Sequence, residues 1–397
     1  MANFEEGGEM TLAKTGNEAM AYAMKQCNPD VVAAYPITPS TEIVQIFSSF
    51  VADGLVDTEY IPVESEHSAM SACIGAAAAG ARAMTATASQ GLALMHEMLF
   101  IAAGLRLPIV MCVASRSLSS PLNIHCDHSD SVASRDSGWI QIFCESSQEG
   151  YDSVIQAVKI AESCYLPVIV AIDGFILSHC MERIETLDDV DIKSFIGKLK
   201  PNYTLLDIKN PITVSPACLT DSYFEHKRAE AQGMNDALPK IEKVISEYAQ
   251  KFGRNYPVIE EYRTDGADVV ILAMGSTVGT AKIVVDELRA KGKKVGVVKL
   301  RIFRPLIAQK MIDTFKKFKV VGVLDRVESM SSYISPLATE VRSALYTLSP
   351  KPIVPSYVYG LGGREITQDD IASVFDELLQ IKDTGKTKEE VSYVGVR

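Results

Sequence analysis

Two acids, an arginine and a threonine stand where they could work on a small anion. Glu64 and Glu66 flank Ser65 at the end of an apolar run, and an Ala/Gly-rich stretch, residues 75–80, follows. A carboxyl group at such a junction can do acid–base work on a bound ligand. It can equally be an acid placed to favour a helix dipole, and spacing alone does not choose between the two acids. Arg116 follows the apolar run PIVMCVAS, residues 108–115. A guanidinium at the end of a buried strand is unfavourable unless paired, and its planar fork suits a carboxylate. The partner is a bound anion or an internal acid such as Glu66 or Asp136. Thr38 lies in YPITPST, residues 35–41, together with Pro36; Pro39 follows it and Glu42 falls in the next turn. This is the pattern of a helix start, so Thr38 reads as an N-cap or as part of an anion site at that end.

Two further junctions are less specific. In TASQG, residues 87–91, Ser89, Gln90 and Gly91 could let a cofactor approach the backbone, or simply form a tight turn. The run NIHCDHSD, residues 123–130, holds His125 and His128 among acids, which are plausible metal-ligand types. No third ligand motif follows, so a polar loop beside an active site is the preferred reading and no metal is assigned.

The elements that must position these groups follow from hydrophobic patterning. Apolar runs at residues 31–35, 59–63, 81–87, 108–115, 139–144 and 166–173 alternate with helical stretches, among them 68–80, 92–104 and 150–164. This rhythm predicts a mostly parallel sheet covered on both faces, and the runs are apolar throughout, as doubly covered strands are. Ligands of such sheets bind beyond the carboxyl ends of the strands, where all four junctions fall. Residues 182–266 are polar, carry Pro201, Pro211 and Pro216, and contain a charged helix over about 222–252; they read as an excursion plus linker. From residue 267 the α/β rhythm returns in a second, smaller domain, with strands at 267–275, 294–300, 319–325 and 352–360. Its two Gly-rich turns are ambiguous. Residues 275–279 lack the G-x-G-x-x-G pattern and read as a helix start packed on the sheet. Residues 360–365 read as a solvent loop or a subunit contact, and residues 387–397 as a tail or an interface arm.

Composition narrows the class. Of 397 residues, 47% are hydrophobic and 22% charged, which excludes disorder as the main state. The formal net charge of −11 argues against a nucleic-acid partner. No run of about 18 apolar residues suggests a membrane span. The acidic first dozen residues lack the apolar core of a secretory signal, so the cytoplasm is expected. Eight cysteines without any C-x-x-C read as buried thiols of a reducing compartment, not as cluster ligands.

Taken in order, YPITPS, ESEHSA, TATASQGL and the run over residues 115–141 resemble the alpha subunits of the pyruvate and related 2-oxoacid:ferredoxin oxidoreductase family, whose members depend on thiamine diphosphate. Residues 273–305 resemble that family's second domain. The resemblance implies an α/β fold: a thiamine-diphosphate-binding, pyrimidine-type parallel-sheet domain over residues 1–250, followed by a transketolase C-terminal-like α/β domain over residues 251–397. By motif match, Glu66 takes the place of the glutamate that hydrogen-bonds the aminopyrimidine ring. Pro36, Ser89 and Gln90 fall among cofactor-binding positions, and Thr38 and Arg116 fall where the substrate's carboxylate and keto group are held. The family's diphosphate and Mg²⁺ motif, GDG, is absent from this chain. The resemblance therefore implies that the cofactor is shared with a partner subunit, that Mg²⁺ and [4Fe-4S] clusters sit on partners, and that beta-, gamma- and delta-type subunits complete the enzyme. Ferredoxin and CoA would be substrates of that complex. Pyruvate is the expected 2-oxoacid. Oxalate, 2-oxoglutarate or a branched-chain 2-oxoacid, and a non-catalytic scaffold, are the alternatives.

Overall fold

The structure, a computed structural model, describes residues 10–397. The reading of the acidic opening segment rests largely on residues 1–9, which lie outside them. The strands in chain order are β1 (Thr11–Thr15), β2 (Val31–Ala34), β3 (Glu59–Pro62), β4 (Ala83–Thr87), β5 (Val110–Ser115), β6 (Ile140–Phe143), β7 (Val168–Asp173), β8 (Met181–Glu185), β9 (Ile259–Tyr262), β10 (Val269–Ala273), β11 (Val295–Leu300), β12 (Ile302–Arg304), β13 (Val320–Asp325), β14 (Ser356–Tyr359) and β15 (Val391–Val394). Seven of them form one sheet in the order β12-β6-β7-β5-β4-β2-β3, parallel except at the β12–β6 edge. Six form a second sheet in the order β15-β14-β13-β10-β11-β9, parallel except at the β11–β9 edge.

The central sheet strands follow the apolar runs because they are covered on both faces, whereas the edge strands β3, β9 and β15 are only partly buried. Every residue of β4, β5 and β7 is buried. The helix Ser147–Cys164 crosses one face of the first sheet, buried over most of its length, and packs on the helix Gly16–Cys27. Thr15 and Glu18 close the start of the latter in a reciprocal capping box.

Three expectations are corrected, and one strand lies away from its sequence neighbours. The region after residue 182 is not mere linker. Its helix Ala237–Phe252 buries Ile241, Val244, Ile245 and Tyr248, and the Tyr248 hydroxyl donates to Asp152 at 2.6 Å. Those apolar positions recur at helical spacing, so the stripe has a core to face. The single charged helix is two, Tyr223–Asn235 and Ala237–Phe252, joined at Asp236. The C-terminal stretch is not a free tail: residues 391–394 pair with β14 as a parallel edge strand. Finally, β12 belongs by sequence to the second domain but pairs antiparallel with β6 of the first sheet, Ile302 opposite Ile142. Just before it Arg301, fully buried, is held by Ser153, Gln156 and the Tyr256 carbonyl at 2.8–3.0 Å, with Glu149 at 3.0 Å. The chain thereby passes from the second sheet at β11 directly into the first at β12.

Candidate active site

Strand ends and helix starts at the carboxyl edge of the first sheet bring most of the candidate residues together. Glu66 opens the helix Glu66–Ala78, whose N-cap, Ser65, accepts from the Ser68 N–H at 3.2 Å. Glu66 is only 6% exposed, and its carboxyl accepts no hydrogen bond from the described residues. It lies against Gly91: a β-carbon there would stand 2.7 Å from Glu66 Oε1 and 2.5 Å from Thr87 Oγ1. The absent side chain at residue 91 is therefore what leaves room for the carboxyl. Glu64 behaves differently. It is exposed and accepts from the Ser68 hydroxyl at 2.6 Å, a bond that holds its carboxyl below the usual range. Only one of the two acids is directed inward.

Arg116 follows β5 and is 7% exposed. Its Nη1 donates to the Thr38 carbonyl at 3.0 Å and its Nε to the Asn123 carbonyl at 2.9 Å. Neither Glu66 nor Asp136 pairs with it; Asp136 lies 4.0 Å from Arg135 instead. Burial lowers the Arg116 pKa, and Asp130 partly offsets this. Two neutral carbonyls leave the guanidinium's charge uncompensated by any contact acid, and Nη2 has no partner among the described residues. Thr38 does not cap the following helix. That helix, Thr41–Ala52, starts later with Ser40 at its N-cap. Asn17 takes the Pro39 carbonyl at 2.8 Å, an oxygen that a helix begun at Pro39 would need for its own ladder.

One residue not singled out by sequence ties these pieces. Asp130 Oδ2 accepts the Ser89 N–H at 2.8 Å and the Arg116 N–H at 3.0 Å. Its Oδ1 accepts from the N–H and the hydroxyl of Ser131, at 2.6 and 3.2 Å. Burial pushes its pKa up to about 6, the donated hydrogen bonds partly offset that, and nearby Asp127 adds to it. Ser89, with φ +47°, sits in the left-handed region that a serine seldom adopts. Its hydroxyl donates to the Ser117 carbonyl at 2.6 Å. A single carboxylate thus fixes the turn that houses Gly91 relative to Arg116. Of the remaining candidates, Gln90 is half-buried beside Ser89, and Pro36 is exposed.

The two histidines of the histidine-rich run part company. His125 is exposed, whereas His128 is buried with Nε2 2.7 Å from Asp173 Oδ1. Cys126, His128 and Asp173 do converge. Asp173, however, already accepts from Arg326 Nη1 at 3.1 Å and from the Ser276 N–H and hydroxyl at 3.1 and 2.5 Å. A guanidinium bound to the same carboxylate opposes a second cation. The contacts also explain both Gly-rich turns. Gly275, at φ +68°, lets the turn close on Asp173: a β-carbon there would stand 2.8 Å from Oδ1. The turn at residues 360–365 packs on the 123–127 loop of this same chain, through Asn123 Nδ2 to the Gly362 carbonyl (3.1 Å) and the Gly363 N–H to the Cys126 carbonyl (2.6 Å). The second domain therefore braces the loop whose Asn123 carbonyl holds Arg116.

Glu66 Oε1 and the unpartnered Thr87 hydroxyl converge on the space that a side chain at Gly91 would fill. The two mostly parallel sheets define an α/β protein of transketolase-like architecture. In fold the chain is similar to a 2-oxoglutarate:ferredoxin oxidoreductase from Magnetococcus marinus solved with 2-oxoglutarate, coenzyme A and succinyl-CoA bound (TM-score 0.74, 21% identity), covering 93% of this chain and 65% of that one. It is also similar to a split gene transketolase (TM-score 0.50, 14% identity), covering 93% and 99%. The family described as pyruvate flavodoxin/ferredoxin oxidoreductase, thiamine diphosphate-binding, matches residues 22–248, and pyruvate:ferredoxin oxidoreductase core domain II matches residues 267–371. The chain belongs to the pyruvate flavodoxin/ferredoxin oxidoreductase family. It is 52% identical to the pyruvate synthase subunit PorA of Thermotoga maritima, over 97% of this chain and 98% of the relative. Against PorA of Methanocaldococcus jannaschii identity is 48% (93% and 95% covered), and against the ketoisovalerate oxidoreductase subunit VorA of Pyrococcus abyssi 43% (96% of each). Among the described residues no helix is long and apolar enough to cross a membrane.

Proposed function

We propose that this chain is the alpha subunit of a pyruvate:ferredoxin oxidoreductase. The complex would convert pyruvate, CoA and two oxidised ferredoxins to acetyl-CoA, CO2, a proton and two reduced ferredoxins, reversibly. Thiamine diphosphate, when bound, supplies the carbon nucleophile and the electron sink for decarboxylation. The chain's own residues act around it. Glu66 holds a proton against the ring nitrogen from a site shielded from water. Pro36, Ser89 and Gln90 border the ring. Arg116, with its free Nη2, and Thr38 hold the substrate's carboxylate and keto group. This anchor is useful only if it does not favour the carboxylate over the transition state that loses it, and two neutral carbonyls with no contact acid moderate its field. The observation that carries the reading is the bridge at Asp130 Oδ2, which sets the cofactor turn and the anion anchor at one fixed separation.

Beta-, gamma- and delta-type subunits would supply the diphosphate and Mg²⁺ half of the site and the [4Fe-4S] clusters, in the cytoplasm. Residues 1–250 would be the pyrimidine-type domain and residues 251–397 the transketolase C-terminal-like one. Pyruvate is favoured by the 52% and 48% identity to two PorA subunits, although PorA and VorA of Pyrococcus abyssi are both 43% identical. A branched-chain 2-oxoacid is the second reading, and a substrate panel on the complex separates them. The test of the cofactor role is proton exchange at the thiazolium carbon, followed by NMR on the reconstituted complex. Glu66→Ala should slow it by orders of magnitude; an unchanged rate removes the role.

A further inference from the structure

We propose that Thr87 is a positioning residue for Glu66, its hydroxyl donating to the Glu66 carboxyl when the cofactor ring is seated. The inference rests on the cofactor reading above and names a further residue of that site. Thr87 ends β4 at the carboxyl edge of the sheet and is fully buried, yet its Oγ1 has no partner among the described residues. A buried hydroxyl left unpaired carries a desolvation penalty that a valine of the same shape would not. The strand shows how it treats a merely structural hydroxyl: Thr85, two residues earlier and equally buried, donates to the Ala33 carbonyl at 2.7 Å. The Thr87 hydroxyl instead faces Gly91. The point where a Gly91 β-carbon would stand is 2.5 Å from Thr87 Oγ1 and 2.7 Å from Glu66 Oε1. The two oxygens are therefore within two hydrogen-bond lengths of each other, across a residue that has no side chain to separate them.

That geometry assigns the two carboxyl oxygens different tasks. One receives the Thr87 hydroxyl, and the other is left to meet the ring nitrogen. A hydroxyl donor steadies the carboxylate form and fixes the rotation of the carboxyl plane. No covalent bond forms or breaks at Thr87; the proton that moves is the one between Glu66 and the ring.

The experiment uses the reconstituted complex and two readouts: thiazolium C2-proton exchange by NMR, and thiamine diphosphate affinity by calorimetry. Thr87→Val keeps the shape and removes the hydroxyl. It should slow exchange about tenfold or more, the effect of losing a hydrogen bond to a charged group, with cofactor affinity and pyruvate KM within about twofold of wild type. Thr87→Ser should restore the rate. Thr87→Ala replaces the valine variant if that one does not assemble. Exchange at the wild-type rate in the hydroxyl-free variant, or no recovery in Thr87→Ser with cofactor bound, overturns the proposal. Glu66→Gln runs in parallel. If it exchanges normally, the cofactor reading itself fails; if it is inert while Thr87→Val is normal, only the Thr87 proposal fails.

Discussion

Asp130 and Asp173 are both buried acids at the carboxyl edge of the first sheet, and their surroundings are opposite. Asp130 is met only by N–H and O–H donors, with no cation in contact, and burial pushes its pKa up to about 6. Asp173 is met by His128, Arg326 and Ser276, which outweigh burial and hold its carboxyl well below the usual range. Dipoles position a carboxylate without fixing its charge, whereas a buried cation fixes both. The first arrangement sits in the site, between the Ser89 turn and Arg116. The second sits between domains, where Ser276 and Arg326 of the second close on the end of β7.

That contrast can be broken by substitution. The largest effect is expected at the clasp. Asp173→Asn leaves Arg326 buried without a counter-charge and should destabilise the chain by about 3–5 kcal/mol, read from chemical denaturation. Should its stability match wild type, the clasp is not what joins the domains. Next, Arg116→Ala removes a charge-assisted contact worth about 1.5–3 kcal/mol, so the pyruvate KM should rise about 10- to 150-fold. Unchanged kinetics would exclude the anchor. Asp130→Asn is milder: it keeps the volume but turns one acceptor into a donor facing N–H groups. We expect a pyruvate KM raised about tenfold, with a smaller loss of stability than at Asp173. A larger loss of stability with normal KM would reverse the assignment of the two acids.

The smallest effect is one of pH, and it needs no substitution. Between the ordinary carboxyl value and about pH 6, folded Asp130 binds a proton more readily than the unfolded chain does. The penalty for burying its charge is therefore full above pH 6 and fades as pH falls toward 4. Protonation, however, also takes an acceptor from Ser89 or Arg116, so the pyruvate KM should climb as pH falls through about 6. Asp173 contributes stability at every pH above the usual carboxylate range, and that contribution is lost only in stronger acid. Substrate binding should therefore weaken before the fold does. Parallel pH profiles of KM and thermal midpoint that collapse together would erase the distinction.

How far this was legible varies by kind of feature. The parallel strands were plain because a doubly covered strand needs an unbroken apolar run, as in residues 108–115. Glu66 could not be told from Glu64 by spacing, since the choice depends on the missing side chain of Gly91, distant in sequence. The Thr38 hydroxyl suggests a cap, but the contact that places the residue is its carbonyl oxygen. Asp130 stood in view only as one acid of a metal-like run. Its work is to accept backbone N–H groups from two separate turns, and backbone donors leave no trace in side-chain pattern. The charge of the helix Ala237–Phe252 masks its burial in the sequence, although Ile241, Val244, Ile245 and Tyr248 carry the helical period.

The strand β12 has a practical corollary. Cleaving the polypeptide in the segment ahead of residue 267 would strip the β6 flank of its neighbour and leave a row of bare amide and carbonyl groups on an apolar sheet. Such a severed piece is a template for fibrous or amorphous precipitation, so the halves must be co-produced to remain monodisperse.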